Sequence, residues 1–238
     1  MPKGIGVIAK LNLKNIHGAY WAAIISALVS FVNLTIFYII AISAENPGNS
    51  STIAPGAFVY LLVLVGAITI PASCFRRVIN LGGRRDNFFW GALTEYAIMA
   101  VAGSLVNTTL FYTFDTFIQQ SGYFGYMGGV LNPMQAFGWT QNGFALAFLQ
   151  QVAFLFLFAV FLHTWTSVQG RWYGWVTNVV IAAILAVFIP IAPLRATLVW
   201  FFNMIIFHDV AIVQIAACIV LAAVIYVLNR PIYEKKAI

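Results

Sequence analysis

The sequence predicts an all-α polytopic membrane protein with six transmembrane helices. An N-terminal amphipathic elbow helix precedes them, and re-entrant outer helices lie between spans five and six. Three observations carry this. Of 238 residues, 62% are hydrophobic and 8% charged, whereas soluble domains carry about 25% charge. Six runs reach the roughly 20 apolar residues that a bilayer requires. The basic residues fall almost entirely on one side of those runs.

The chain carries a net charge of +6, and so high a positive charge invites a nucleic-acid reading. The placement of the charges argues against it, because they cluster beside the ends of apolar runs. Anionic lipid and retention on the cytoplasmic side account for them. The two cysteines, Cys74 and Cys218, form neither a disulfide framework nor a zinc spacing. They are expected to pack as apolar residues. The apolar run after the basic N-terminal segment is too long for a cleavable signal peptide.

Residues 1–16 are expected to form an interfacial helix. At 100° per residue, Lys3, Lys10 and Lys14 share one face, while Ile5, Ile8, Ala9, Leu13 and Ile16 occupy the other. Such a helix lies flat on the membrane with its lysines toward water and phosphate. It serves either as a basic anchor or as an elbow packed beside the first span.

The expected spans are 20–43, 56–75, 88–114, 143–166, 172–192 and 210–228. Eleven of the twelve basic residues then fall on one side, from Lys3 to Lys236. Arg195 alone falls on the other, with Glu45, Asp115 and Asp209. By the positive-inside rule, both termini are cytoplasmic in a plasma membrane.

Among the outer segments, 45–55 reads as a polar turn. Segment 115–142 reads as a membrane-hugging cap, in which Gly122, Gly125 and Gly128 form turns rather than a nucleotide loop, since no strand precedes them. Segment 193–209 is too apolar for an ordinary loop and follows Pro190 and Pro193. A re-entrant or interfacial hairpin fits it.

The most distinctive stretch is the cytoplasmic loop 76–87, with Arg76, Arg77, Arg84 and Arg85 around Val78, Ile79, Asn80 and Leu81. Gly82 and Gly83 are expected to end a short helix through a left-handed cap. Asp86 or Asn87 is expected to cap the third span. Topology alone explains the arginines. Exposed apolar residues ringed by charge suggest a protein interface, whereas a dip of Val78 and Ile79 into lipid would leave only the topological role.

The run Gly82-Gly83-Arg84-Arg85-Asp86-Asn87-Phe88-Phe89 resembles the Gly-x-Ser-Arg-Lys-x-Phe-Phe pattern after span two of ABC-2-type transporter permeases. Arg84 and Asp86 depart from it, standing where that pattern has a small hydroxyl and a base. The resemblance extends to the layout: elbow helix, six spans and a re-entrant pair between spans five and six. It implies that 76–87 is a coupling loop that docks an ABC ATPase subunit. It also implies that a second permease copy or a paralogue completes the pore. Within that family the chain is similar to small six-span exporters of amphipathic peptides.

The chain has no Gly-x-x-x-x-Gly-Lys-Ser/Thr, so it is expected to hold no cofactor itself. ATP and Mg would be bound by the partner subunit. No catalytic constellation appears, which disfavours an enzyme. His17, His163 and His208 are expected to be packing or interfacial residues. Glu95 is the only acid inside a span. A carboxylate there needs a partner, and Arg76 or Arg77 is the expected one. Such a pair either transmits movement of the coupling loop or is structural. The aromatic residues of the spans, Phe154, Phe156, Phe158 and Phe161 among them, suit an amphipathic or lipid-like cargo. The alternatives to an exporter are a substrate-capture component of an energy-coupling importer and a secondary transporter.

Overall fold

The structure, a computed structural model, describes residues 3–43, 52–117, 130–169 and 171–234. The expected turns at 45–51, the glycines 122, 125 and 128, and the lysines at 235 and 236 lie outside the described residues. The side chain of Lys3 does too.

Helix α1 (Lys3–Asn15) is followed, after a single-residue break at Ile16, by α2 (His17–Ser43). Ile8, Asn12 and Ile16 recur every four residues and are buried, with Ala9 beside them, while Lys10 and Lys14 are exposed. The inward face of α1 packs on α5 (Arg85–Leu110). The face opposite Lys10 and Lys14 seats on protein and contains a polar residue, Asn12.

The second span is one nearly continuous helical rod. Helix α3 (Phe58–Thr69) passes through a π turn, Ile70–Cys74, into α4 (Phe75–Asn80). Pro71 in that turn has no N–H to donate, so the ladder widens around it. The rod counts as a span over Pro55–Asn80, so it runs past the expected end at 75. The short helix expected before Gly82 is therefore the rod's last turn, α4, continuous with the span. Val78 is 2% exposed and belongs to the core, and Ile79 is half-buried. Leu81, 70% exposed, is the apolar residue that faces out.

Gly82 does adopt the left-handed region at φ +79°. Its N–H bonds Ile79 O at 2.9 Å and the Gly83 N–H bonds Val78 O at 2.9 Å, which satisfies the last carbonyls of the rod. Helix α5 starts at Arg85, with Arg84 at its cap and no side-chain capping bond. Asp86 is therefore a first-turn acid, favourable there through the helix dipole, and not the expected N-cap.

Helix α5 continues through a second π turn, Phe111–Asp115. A two-residue parallel ladder joins β1 (Thr52–Ile53) to β2 (Val130–Leu131). A short helix α6 (Pro133–Ala136) follows, then α7 (Gly143–Val168). Next come α8 (Trp172–Phe188), α9 (Ala192–Phe202) with a π turn to Phe207, and α10 (Ala211–Glu234).

Among the described residues, five helices are long and apolar enough to cross a membrane. The pair Trp172–Phe188 and Ala192–Phe207, bent by 116°, makes a sixth if taken as one span. Helix α8 has 17 residues, about 25 Å, slightly less than a bilayer core of about 30 Å. Pro190 and Pro193 flank the bend, with Pro193 in the first turn of α9.

Helix α7 is the centre of the bundle and packs on α3, α5 and α10. Phe75, Phe88, Tyr96, Met99 and Leu155 are buried there. Outside, Trp172, Trp175, Ile212 and Val227 are among many large apolar residues that are more than half exposed. Water would make that surface an aggregation site, whereas lipid accommodates it. The fold is that of a multi-pass membrane protein.

Candidate functional site

Three places merit attention: the basic end of the bundle, an apolar cavity near its middle, and a buried polar cluster at the opposite end.

At the basic end the structure gathers groups far apart in sequence. The Arg77 guanidinium donates to the Asn15 side chain, tying α4 to the end of α1. The rings of Phe75 and Phe88 meet edge-to-face at 5.2 Å and close the base of the loop. Arg230 of α10 lies 3.9 Å from Asp86, both more than half exposed, and so exposed a pair contributes little. Arg76, Asn80, Leu81 and Arg84 are exposed, while Arg85 and Gly83 are half-buried. Of the apolar side chains in the stretch 76–87, Leu81 is the exposed one, with exposed Arg76, Arg77, Asn80, Arg84 and Asp86 around it.

Nearly three turns into α5, Glu95 is fully buried, and neither carboxylate oxygen meets a donor at full hydrogen-bond geometry. The expected Arg76 or Arg77 partner is not found: Arg77 is committed to Asn15 and Arg76 faces outward. The neighbour is Asn12 of α1, also fully buried, whose side-chain amide interacts with the carboxyl group. Asn12 was missed in the sequence because a polar residue on the inner face of α1 looks like a flaw in an amphipathic pattern.

Next to Glu95 in sequence, Tyr96 meets His163 of α7, Oη to Nδ1, at 2.5 Å. The Tyr226 hydroxyl of α10 donates to the Phe89 carbonyl. His163 is thus a buried packing residue within a polar pair. His17 accepts from the Trp21 indole at 2.8 Å, and His208 accepts from the Val210 N–H at 3.0 Å.

The cavity has a volume of about 430 Å³ and lies between α7, the bent pair and α10. Phe154, Phe158 and Phe161 recur at helical spacing along α7 and form one wall. Phe201 and Phe202 form a second, and Leu221 and Ile225 a third. Phe161, Phe201 and Phe202 are 37–45% exposed, so one side is open. No polar side chain lines it. Its volume is in the range of ligand pockets, and its chemistry suits an alkyl or aromatic group. The aromatic run of α7 was legible in the sequence, although Phe156 does not line the cavity. The contribution of Phe201 and Phe202 depends on the 116° bend.

At the opposite end, Asn132 caps α6 by accepting the Met134 N–H at 3.0 Å, which fixes the orientation of its amide. The amide nitrogen then bridges Asp115 Oδ2 at 3.0 Å and Asn107 Oδ1 at 3.3 Å. Gln150 donates to Gln214 at 2.6 Å and accepts from Asn142 at 2.9 Å. The Thr108 hydroxyl donates to Gln151 Oε1 at 3.3 Å. These bonds pair buried amides across apolar helices, the usual role of such residues, although Asn107 Nδ2 and Asp115 Oδ1 have no hydrogen-bond partner among the described residues.

No family model, characterised protein or solved structure matches this chain.

Proposed function

We propose that this chain is the transmembrane subunit of an ATP-driven exporter of the ABC-2 type. In this reading it moves an amphipathic or hydrophobic cargo, most simply a peptide, across the plasma membrane by alternating access. The observation that carries the transport reading is the purely apolar cavity walled by the bent helix pair. A helix broken at its middle is a wall that can swing, and a cavity without hydrogen-bonding groups favours apolar cargo. Both termini would be cytoplasmic, with Lys10 and Lys14 at the lipid surface. A second copy or a paralogue would complete the pore. ATP and Mg would be bound by a separate ATPase docked on Leu81, Arg84 and the neighbouring arginines. Its closure would act on the bundle through α4, whose Val78 and Phe75 are core residues.

The test is copurification with an ATPase and stimulation of its turnover. Leu81→Asp combined with Arg84→Ala, both at exposed positions, should abolish the association while leaving the protein folded. Intact association and stimulation in that variant would refute the docking role.

A second reading, a secondary transporter, draws on Glu95, a buried carboxylate with no basic partner at hydrogen-bond distance among the described residues. Buried acids of that kind mark ion pathways in membrane proteins. It predicts uptake or efflux driven by an ion gradient in vesicles free of nucleotide.

A further inference from the structure

The cavity between α7, the bent pair and α10 does not end at Phe161. A second cavity, of about 280 Å³, adjoins it toward the basic end of the bundle. Phe161 and Ile225 line both, so the two form one furrow along α7. From Phe154 to Val168 its wall covers about 21 Å of helix. Phe161 and Trp165 are each more than a third exposed, so the furrow is open along its length.

Its polarity is graded. The inner cavity has no polar side chain, and its wall holds the parallel rings of Phe154 and Phe158. The outer cavity includes Thr164 and Thr177. At its mouth the Trp165 indole donates to Asn178 Oδ1 at 2.8 Å. Trp172 and Trp175 follow, each 76% exposed, and such residues concentrate at the boundary of lipid and water. Arg171, half-buried, caps α8 at this same end. The first turn of α8 is held there by Gly174, where a Cβ would come within 2.5 Å of the Val168 carbonyl oxygen.

Water does not fill such a furrow, because a stable water needs two to four polar partners. In a membrane span, the material at hand is lipid. One leaflet is about half of a hydrocarbon core of about 30 Å, so the furrow is long enough for one acyl chain. The gradient follows a phospholipid from chain to ester to phosphate. The bilayer is as apolar as the furrow, so moving a chain between them gains little. Preference must come from close packing on the aromatic wall and from a charge-assisted contact between arginine and phosphate.

We propose that the furrow binds one phospholipid from the leaflet at the basic end, its chain along Phe154, Phe158 and Phe161 and its phosphate at Arg171. The site rests on the membrane fold and on neither transport reading. An apolar cargo in the inner cavity would displace the end of the chain.

The experiment uses the purified full-length protein, with no ATPase and no ion gradient. It is placed in phosphatidylcholine nanodiscs containing phosphatidylglycerol with a photoreactive diazirine at the end of one chain. Labelled peptides are mapped by mass spectrometry, and retained lipid is counted after gel filtration in mild detergent. The expected result is saturable labelling of 154–161 and of Phe201 and Phe202, competed by unlabelled phosphatidylglycerol. Ile225→Trp, at the junction of the two cavities, should lower that labelling several-fold. Arg171→Ala should lower lipid retention several-fold. Leu28→Trp, on the exposed face of α2, should change neither.

Labelling spread equally over the furrow and the face of α2 overturns the proposal, since that is the pattern of bulk lipid. So does labelling that Ile225→Trp leaves intact, or retention that Arg171→Ala leaves intact. Equal competition by palmitate would replace the phospholipid with a fatty acid and overturn it too. Should Ile225→Trp fail to fold, the wild-type map and Arg171→Ala decide the question.

Discussion

Gly82 is the residue whose chemistry is most narrowly required. At φ +79° an L side chain meets its own backbone, at a cost of about 1–2 kcal/mol. Gly82→Ala should therefore lower the melting temperature, whereas Asn80→Ala, at an exposed position on the same turn, should leave it nearly unchanged. Equal stability of both variants would show that the left-handed cap is not needed. Tyr226 offers a second measure at this scale. Its hydroxyl, 3% exposed as a residue, donates to the Phe89 carbonyl and ties α10 to α5. Tyr226→Phe should cost about 1 kcal/mol, read as a shift in the denaturation midpoint in detergent. The glycine was legible in the sequence, since Gly-Gly after a short apolar run is a recognisable stop. The tyrosine was not, because its partner is a carbonyl 137 residues away.

At the scale of elements, the loop between the second and third spans is shorter than its sequence suggests. The arginines and the glycine stop were visible in the sequence, but the exposure of Val78 and Ile79 was not. The π turn at Pro71 lets the helix continue into α4 and brings Val78 back into the core. Periodicity alone cannot separate the end of a span from a short helix following it.

The buried amides of α7 and α10 give an element-level test. Gln150 Nε2 and Gln214 Oε1 are 2.6 Å apart, and Gln214 also donates to Ile205 O at 3.1 Å. This couples α10 to the bent pair. In a double-mutant cycle of Gln150→Leu and Gln214→Leu, the coupling energy should be about 0.6 kcal/mol, as for hydrogen bonds between other membrane helices. A coupling of zero would mean that each glutamine is satisfied independently.

At the scale of the molecule, the prediction concerns sidedness. Leu81 is exposed at the basic end, and Gln141 is exposed near the opposite end. The native Cys74 and Cys218 are both buried and leave a quiet background for labelling. A membrane-impermeant maleimide should react with Leu81→Cys in inside-out vesicles only, and with Gln141→Cys in right-side-out vesicles only. The reverse pattern would invert the proposed orientation and remove Leu81 from reach of any cytoplasmic ATPase.

The sequence by itself determined that this is a helical membrane protein, where most of its spans lie, and which loops are basic. These follow from hydropathy and charge, which act on each segment independently of its neighbours. The Gly82 stop and the break at Pro190 and Pro193 are local in the same sense, since they depend on backbone geometry within a few residues. Tertiary structure alone decided what each helix face meets. It turned Asn12 inward onto Glu95, gave Arg77 to Asn15, and folded Phe201 and Phe202 back against α7 to enclose the cavity. The physical reason is that such contacts join residues tens of positions apart. In so apolar a chain nearly every helix face is hydrophobic, so the faces that pack on protein read the same as those that meet lipid.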